Sequence, residues 1–188
     1  MTIRPASVED ARAIAEVHVE GWSWGYRGLI PDEVIEALDV DAREAEWVLG
    51  FTERWRDGDG CLVWEHGGRA LGFVAFGPAA DEHAPPPPGA GEVYSIYLRD
   101  DAAGTGVGRE LLSAAEGSLI ERGFPSAVLW VMETNRRARR FYEIAGWRSD
   151  GARAEHRFGD LALPIVRYAR STLCRGPAPG LRSGPLSG

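Results

Sequence analysis

The sequence predicts an α+β fold in three layers: a mixed, mostly antiparallel sheet of about six or seven strands flanked by helices. Three observations carry that reading. Glu92 to Leu98 is apolar, aromatic and β-branched, as a buried strand is. It passes through a glycine turn, Gly104-Thr105-Gly106-Val107-Gly108, straight into a segment where Val107, Leu111, Ala115 and Leu119 recur at helical spacing. After that helix Ala127 to Met132 (AVLWVM) reads as a second buried strand, and a strand-helix-strand unit implies parallel pairing of its two strands. The remaining strands come in adjacent pairs. Cys61–Glu65 and Ala70–Phe76 flank His66-Gly67-Gly68-Arg69 as a hairpin, and Trp147–His156 with Leu161–Tyr168 close the sheet antiparallel.

Taken in order, Thr2 to Arg4 is a short first strand. Ser7-Val8-Glu9-Asp10 reads as a capping box, and Ile14, Val17, His18, Gly21 and Trp22 share one face of the helix that follows. On that face His18 is expected to be a packed histidine rather than a catalytic one. Trp22 to Pro31 holds three aromatics, two glycines and a proline, a poor helix interior, and is expected to be a loop. Asp32 to Leu38 is a short helix. Asp41-Ala42-Arg43-Glu44 is expected to cap another that reaches about Arg56, with Trp47, Phe51 and Trp55 stacked as a core stripe. Gly77 to Ala90, with Pro85 to Pro88 in succession, is an extended linker that delivers the chain to the central strand. The long helix ends near Arg122-Gly123. Asn135 is a good N-cap for a further helix with Ala138, Phe141, Tyr142 and Ala145 inward, Arg136, Arg137, Arg139 and Arg140 outward, and Gly146 at its end. Residues 1–170 are expected to form one domain. From Arg175 the chain is Gly-, Pro- and Ser-rich, and 171–188 is expected to be a disordered tail.

Composition narrows the function. A chain of 188 residues with 44% hydrophobic and 26% charged residues reads as one globular domain with a real core. A net charge of −7 argues against nonspecific nucleic-acid binding and suits a cationic small molecule. No apolar run is long enough for a membrane span, and MTIRPASVED lacks the apolar region of a signal peptide. Cys61 and Cys174 stand far apart and are expected to be reduced thiols of a cytoplasmic protein. The 4 histidines form no metal motif, so no metal is expected.

The glycine turn is where chemistry begins. The first four amides of a helix lack intrahelical acceptors and sit at the positive end of the helix dipole, so a glycine turn opening a helix holds phosphate. The spacing here is G-x-G-x-G, with Leu111 where the dinucleotide fingerprint needs its third glycine, and no Gly-Lys-Ser/Thr follows as in a P-loop. What remains resembles the pyrophosphate motif R/Q-x-x-G-x-G/A of the GCN5-related N-acetyltransferase (GNAT) superfamily. It covers Ala103 to Gly108, with Gly106 and Gly108 matching and Ala103 standing where an Arg or Gln is usual. Asn135 to Trp147 is similar to that superfamily's second motif, N-x-x-A-x-x-F-Y-x-x-x-G-F, with Trp147 in place of the last Phe. Trp22-x-x-x-Tyr26-Arg27-Gly28 resembles the acceptor segment of small-molecule members.

The resemblance spans roughly residues 1 to 170 and implies acetyl-CoA as cofactor, in a sheet whose parallel central strands splay around it. Ile96, Tyr97 and Leu98 would meet the pantetheine arm through main chain. Ala103, Gly104, Thr105, Gly106, Val107, Gly108 and Arg109 would cradle the pyrophosphate, and Asn135, Ala138 and Tyr142 would complete the site. One or two of the helix's outer arginines, with Arg109, would meet phosphate charge. Trp22, Tyr26 and Tyr94 would line the acceptor, their rings offering a cation–π surface.

The chemistry then poses three needs. A lysine-like ammonium has a pKa near 10.4, so about one molecule in a few thousand is a free amine at neutral pH, and a carboxylate base helps. By count back from the glycine motif, Glu92 stands where some members of the superfamily carry that base. The departing thiolate needs a proton, and Tyr142 matches the tyrosine that commonly gives it. Charge developing on the thioester oxygen needs a backbone N–H, near Leu98 by analogy. Transfer is expected to be direct, from thioester to the primary amine of a small cationic molecule such as a polyamine, an aminoglycoside-like antibiotic or an amino-acid derivative. Acetylation of a protein N-terminus or lysine, and a non-catalytic acyl-CoA sensor, are the alternatives. The protein is expected to be a monomer or homodimer.

Overall fold

A computed structural model of the chain describes residues 2–80, 82–158 and 161–171. Its elements are β1 (Thr2–Pro5), α1 (Ala11–Gly25), α2 (Asp32–Glu36), α3 (Val40–Leu49), β2 (Gly60–His66), β3 (Arg69–Pro78), β4 (Gly91–Leu98), α4 (Val107–Glu121), β5 (Ser126–Met132), α5 (Arg136–Ile144), β6 (Arg148–Phe158) and β7 (Leu161–Ser171). The strands make one sheet in the order β1-β2-β3-β4-β5-β7-β6. Every neighbouring pair is antiparallel except β4 and β5, which are parallel as the strand-helix-strand unit requires. The expected tail lies outside the described residues, apart from Ser171 at the end of β7, as does Cys174.

Period-two alternation gives the sheet two apolar faces. On one, Val74 and Phe76 of β3, Val93 of β4 and Leu129 and Val131 of β5 pack against Leu111, Leu112, Ala115 and Leu119 of α4 and Tyr142 of α5. On the other, Phe73 and Ala75 of β3 and Val63 of β2 meet Ile14 and Val17 of α1. Helices therefore cover both faces, and the three layers expected from sequence are present.

Two local expectations are corrected. Trp22 to Gly25 is not loop but the last turn of α1, and the Tyr26 N–H closes it on the Trp22 carbonyl at 3.0 Å. Burial of Trp22 against Ile30, Met132 and Ile165 outweighs the modest intrinsic cost of aromatics and glycine in a helix. The cap of α3 is Asp39 rather than Asp41: its carboxylate accepts the Ala42 N–H at 2.7 Å, and the helix starts at Val40. α3 also ends at Leu49. A wider π-type turn, Gly50–Arg54, carries the chain on to Trp55, whose backbone N–H bonds Gly50 O at 3.0 Å. The aromatic stripe survives the change of pitch, with Phe51 4.5 Å from Trp55 and 6.0 Å from Trp47 between ring centres.

Candidate active site

The centre of the sheet comes apart, and the cleft is the result. β4 pairs with β5 only at Gly91–Ala127 and Glu92–Val128. Just beyond, the β3–β4 register shifts between Ala75 and Phe76: Phe76 faces Val93 while Ala75 faces Ser95, so Tyr94 is an extra, unmatched residue. This bulge turns β4 away from β5. The Arg99 N–H bonds Leu71 O at 2.9 Å, so in the antiparallel ladder Tyr97 and Ser95 face β3 as well. Ile96 and Leu98 consequently aim their main-chain N–H and C=O groups into the gap. The gap opens into a cavity of about 750 Å³ that collects residues from α1, β4, the glycine turn, β5, α5, β6 and β7.

At one end stands the glycine turn. Gly104 has φ +79° and Gly106, the N-cap of α4, φ +101°, conformations strained for any side chain, and a Cβ at either would meet open space. Gly108 is constrained differently, since a Cβ there would come within 3.2 Å of Leu98 Cδ1 and 3.6 Å of Phe141. The absence of side chains lets α4 begin close against the end of β4, its free amides beside the cavity. Ala103, Gly104, Gly106, Gly108 and Arg109 line it. Thr105 and Val107 do not: the Thr105 hydroxyl turns back to Ala102 O at 2.7 Å and the Val107 side chain is in the core. Neither side chain is available to a ligand there. Open, donor-rich and short of side chains, the turn fits a diphosphate.

α5 supplies the opposite wall. The Asn135 Oδ1 accepts the Ala138 N–H at 2.9 Å, so this cavity-lining residue also caps the helix. Tyr142 is 8% exposed, and among the described residues its hydroxyl has no hydrogen-bond partner although the ring borders the cavity. Burial pushes its pKa up, which keeps it a protonated donor. Arg109 and Arg137 both line the cavity and, among the described residues, neither has a carboxylate partner.

The other end is acidic and aromatic. Glu92 accepts the Ala80 N–H at 3.3 Å, and burial raises its pKa to about 7, helped by the nearby charge of Glu82 and opposed by that same hydrogen bond. Trp22 and Tyr26 touch at 4.7 Å between ring centres, and Tyr26 Oη lies 3.4 Å from Tyr97 Oη. His18 stacks on Tyr97 at 4.6 Å, outside the cavity lining, and burial lowers its pKa to about 3: it is a packed histidine. Tyr94 reaches the rim, but its hydroxyl is held 2.7 Å from Asp59 Oδ1 and 2.9 Å from Arg56 Nη2. Ring contact, not its hydroxyl, is what Tyr94 can offer.

Sequence reasoning missed several lining residues. Glu82 and His83 arrive on the proline linker, which Arg167 ties down by donating to Ala84 O and Pro85 O at 3.2 and 2.8 Å. His83 lies 5.3 Å from Trp130 and 5.6 Å from His156 between ring centres. Trp24 donates its indole N–H to Leu98 O at 3.0 Å. Nothing in the spacing of these residues joins them. Only the pairing of β6 with β7, and of β7 with β5, brings His156 and Trp130 near the linker.

The sequence profile of the Acetyltransferase (GNAT) family matches residues 26–147. An uncharacterized N-acetyltransferase of Bacillus subtilis, YuaI, is 34% identical over 136 residues, 72% of this chain and 73% of its own. A mycothiol acetyltransferase of a Parafrankia species is 35% identical over 180 residues, covering 83% of this chain and 55% of that one. The PaiA N-acetyltransferase of Thermoplasma acidophilum, crystallised with coenzyme A, superposes with a TM-score of 0.67 at 22% identity over 89% of this chain and 98% of that one.

Proposed function

From a chain that belongs to the GNAT acetyltransferase family and takes acetyl-CoA as its donor, we propose direct transfer of the acetyl group to the primary amine of a small cationic molecule. The observation that carries this reading is the convergence, in one cavity, of Glu92, Tyr142 and the unpaired edge of β4. Acetyl-CoA supplies an activated thioester. Glu92, with its pKa near 7, removes a proton from the amine, directly or through a water. Tyr142, with no competing hydrogen bond among the described residues, gives a proton to the departing sulfur. The strand-edge N–H of Ile96 or Leu98 meets the negative charge developing on the carbonyl oxygen. Gly104 to Gly108, Arg109 and Arg137 hold the phosphates.

A cationic acceptor is favoured by what shares the cavity with Glu92. Glu82 and the rings of Trp22, Tyr26 and Trp130 line it too, giving an acidic and aromatic surface beside the linker strapped by Arg167.

The test is free-thiol release from acetyl-CoA across polyamines, aminoglycosides, amino acids and short peptides. We expect turnover with one class of small amine, reduced about 100-fold in Tyr142→Phe, the usual scale of a lost general acid. Turnover undiminished by that change removes Tyr142 from the chemistry. Turnover confined to peptides replaces the small acceptor with a protein. Coenzyme A binding without turnover of any amine leaves an acyl-CoA sensor.

A further inference from the structure

At the end of β4 the two walls of the cleft touch each other. Trp24, the penultimate residue of α1, holds Leu98 O through its indole N–H at 3.0 Å, and the Arg137 guanidinium of α5 lies over the same ring at 4.4 Å. α1 packs on one face of the sheet and α5 on the other. Such a contact through a sheet exists only because β4 and β5 have parted there. Trp24, Leu98 and Arg137 all line the cavity, and Gly108 of the glycine turn abuts Leu98.

Arg136 and Arg137 both occupy the first turn of α5, where the helix dipole disfavours a cation, but of the two only Arg137 lines the cavity and stacks on a ring. Other arginines of that helix have occupations of their own: Arg139 bonds Tyr168 Oη and Glu133 O, and Arg140 lies 3.9 Å from Glu143. Among the described residues the charge of Arg137 is answered only by an indole face, which leaves its N–H donors free at the rim of the ring. A flat guanidinium parked on a flat ring has lost most of its rotamer freedom before any anion arrives.

We propose that Trp24 is a positioning residue for the cofactor: it presents Arg137 to the diphosphate and, by filling the Leu98 carbonyl, restricts the arm's strand-edge partners to Ile96 and the Leu98 N–H. This rests on acetyl-CoA as the donor. Without the ring, Arg137 swings in solvent and the Leu98 carbonyl becomes a competing acceptor, so the cofactor binds more weakly.

The experiment is a double-mutant cycle on coenzyme A binding by calorimetry, using the parent, Trp24→Ala, Arg137→Gln and the double variant, each checked by its melting curve. We expect each single change to weaken binding about tenfold and the double change to be no worse than about twenty-fold, because both remove one coupled unit. The KM for acetyl-CoA should rise in step, while kcat and the KM for the amine stay within about twofold. Trp24→Phe, which keeps an aromatic ring but not the indole N–H, identifies the Trp24 indole resonance in a ¹⁵N–¹H spectrum. That resonance should shift when coenzyme A is added to the parent. Arg137→Lys, which keeps charge but not the stack, should lose about fivefold. Independent, multiplying effects in the cycle overturn the proposal, as does an Arg137→Lys variant that binds like the parent or an unmoved indole resonance. A parent that binds no coenzyme A overturns the donor assignment instead.

Discussion

Glu92 carries opposite obligations to chemistry and to stability. Burial raises its pKa from the usual carboxylate range to about 7, which suits a base working at neutral pH. The same shift means that the folded protein binds the Glu92 proton more tightly than the unfolded chain does. Folding is therefore undiminished by this group below about pH 4.5, and its cost grows as pH rises towards 7. Glu92→Gln should accordingly raise the melting temperature at pH 8, by a free energy on the order of 2 kcal/mol, and leave it nearly unchanged at pH 4.5. In the rate, kcat/KM for the amine should climb through pH 7 in the parent, and the variant should lose that inflection together with about 100-fold in rate. The sequence named Glu92 and Tyr142 through the family resemblance, Glu92 by count back from the glycine motif and Tyr142 as a residue of the second motif, and both line the cavity. Trp24 was not legible in it. It lies two residues from Trp22, off the apolar face of α1, and its partners Leu98 and Arg137 are distant in the chain.

Among the elements, strands and hairpins were read correctly from alternation and glycine turns, whereas helix ends were misplaced at the end of α1 and at both ends of α3, where Asp39 caps the start and a π-type turn takes over after Leu49. α1 runs on through Trp22 because the ring finds a core, and no count of glycines and aromatics anticipates that. The motif on α5 was legible down to its N-cap, Asn135. Its departure, Trp147 for Phe, has a physical sequel. A buried indole brings an N–H into the core, and Glu116 of α4 accepts it at 2.8 Å while also taking Arg170 of β7 at 2.6 Å. α4, β7 and the turn between α5 and β6 are thus tied at one carboxylate. Glu116→Ala should destabilise the protein by about 2 kcal/mol in urea unfolding, since it strands the buried Trp147 N–H and takes from Arg170 one of its two acceptors, leaving Ala145 O. Because no cavity-lining residue is touched, coenzyme A affinity of the folded fraction should be unaltered.

Across the whole molecule the sheet is continuous in its order of strands but nearly severed in its hydrogen bonds, with β4 and β5 joined at only Gly91–Ala127 and Glu92–Val128. Parallel pairing was readable from the strand-helix-strand unit. The bulge at Tyr94 was not, since nothing in the composition of β4 marks one residue as surplus. Amide exchange offers a direct check. The Ile96 and Leu98 N–H groups should exchange far faster than those of Tyr97 and Ser95 beside them, by about 100-fold or more, and should gain protection when coenzyme A is added. Equal protection along β4 without ligand would mean that the strand edge is not open. The place where the sheet divides is also a place where the chain divides: β1 to β4 are all drawn from residues before α4, and β5 to β7 all from residues after it. The polypeptide leaving the ribosome can therefore complete one half-sheet before the other exists. Coenzyme A, bound where the halves meet, then acts as a mortar between two separately assembled blocks.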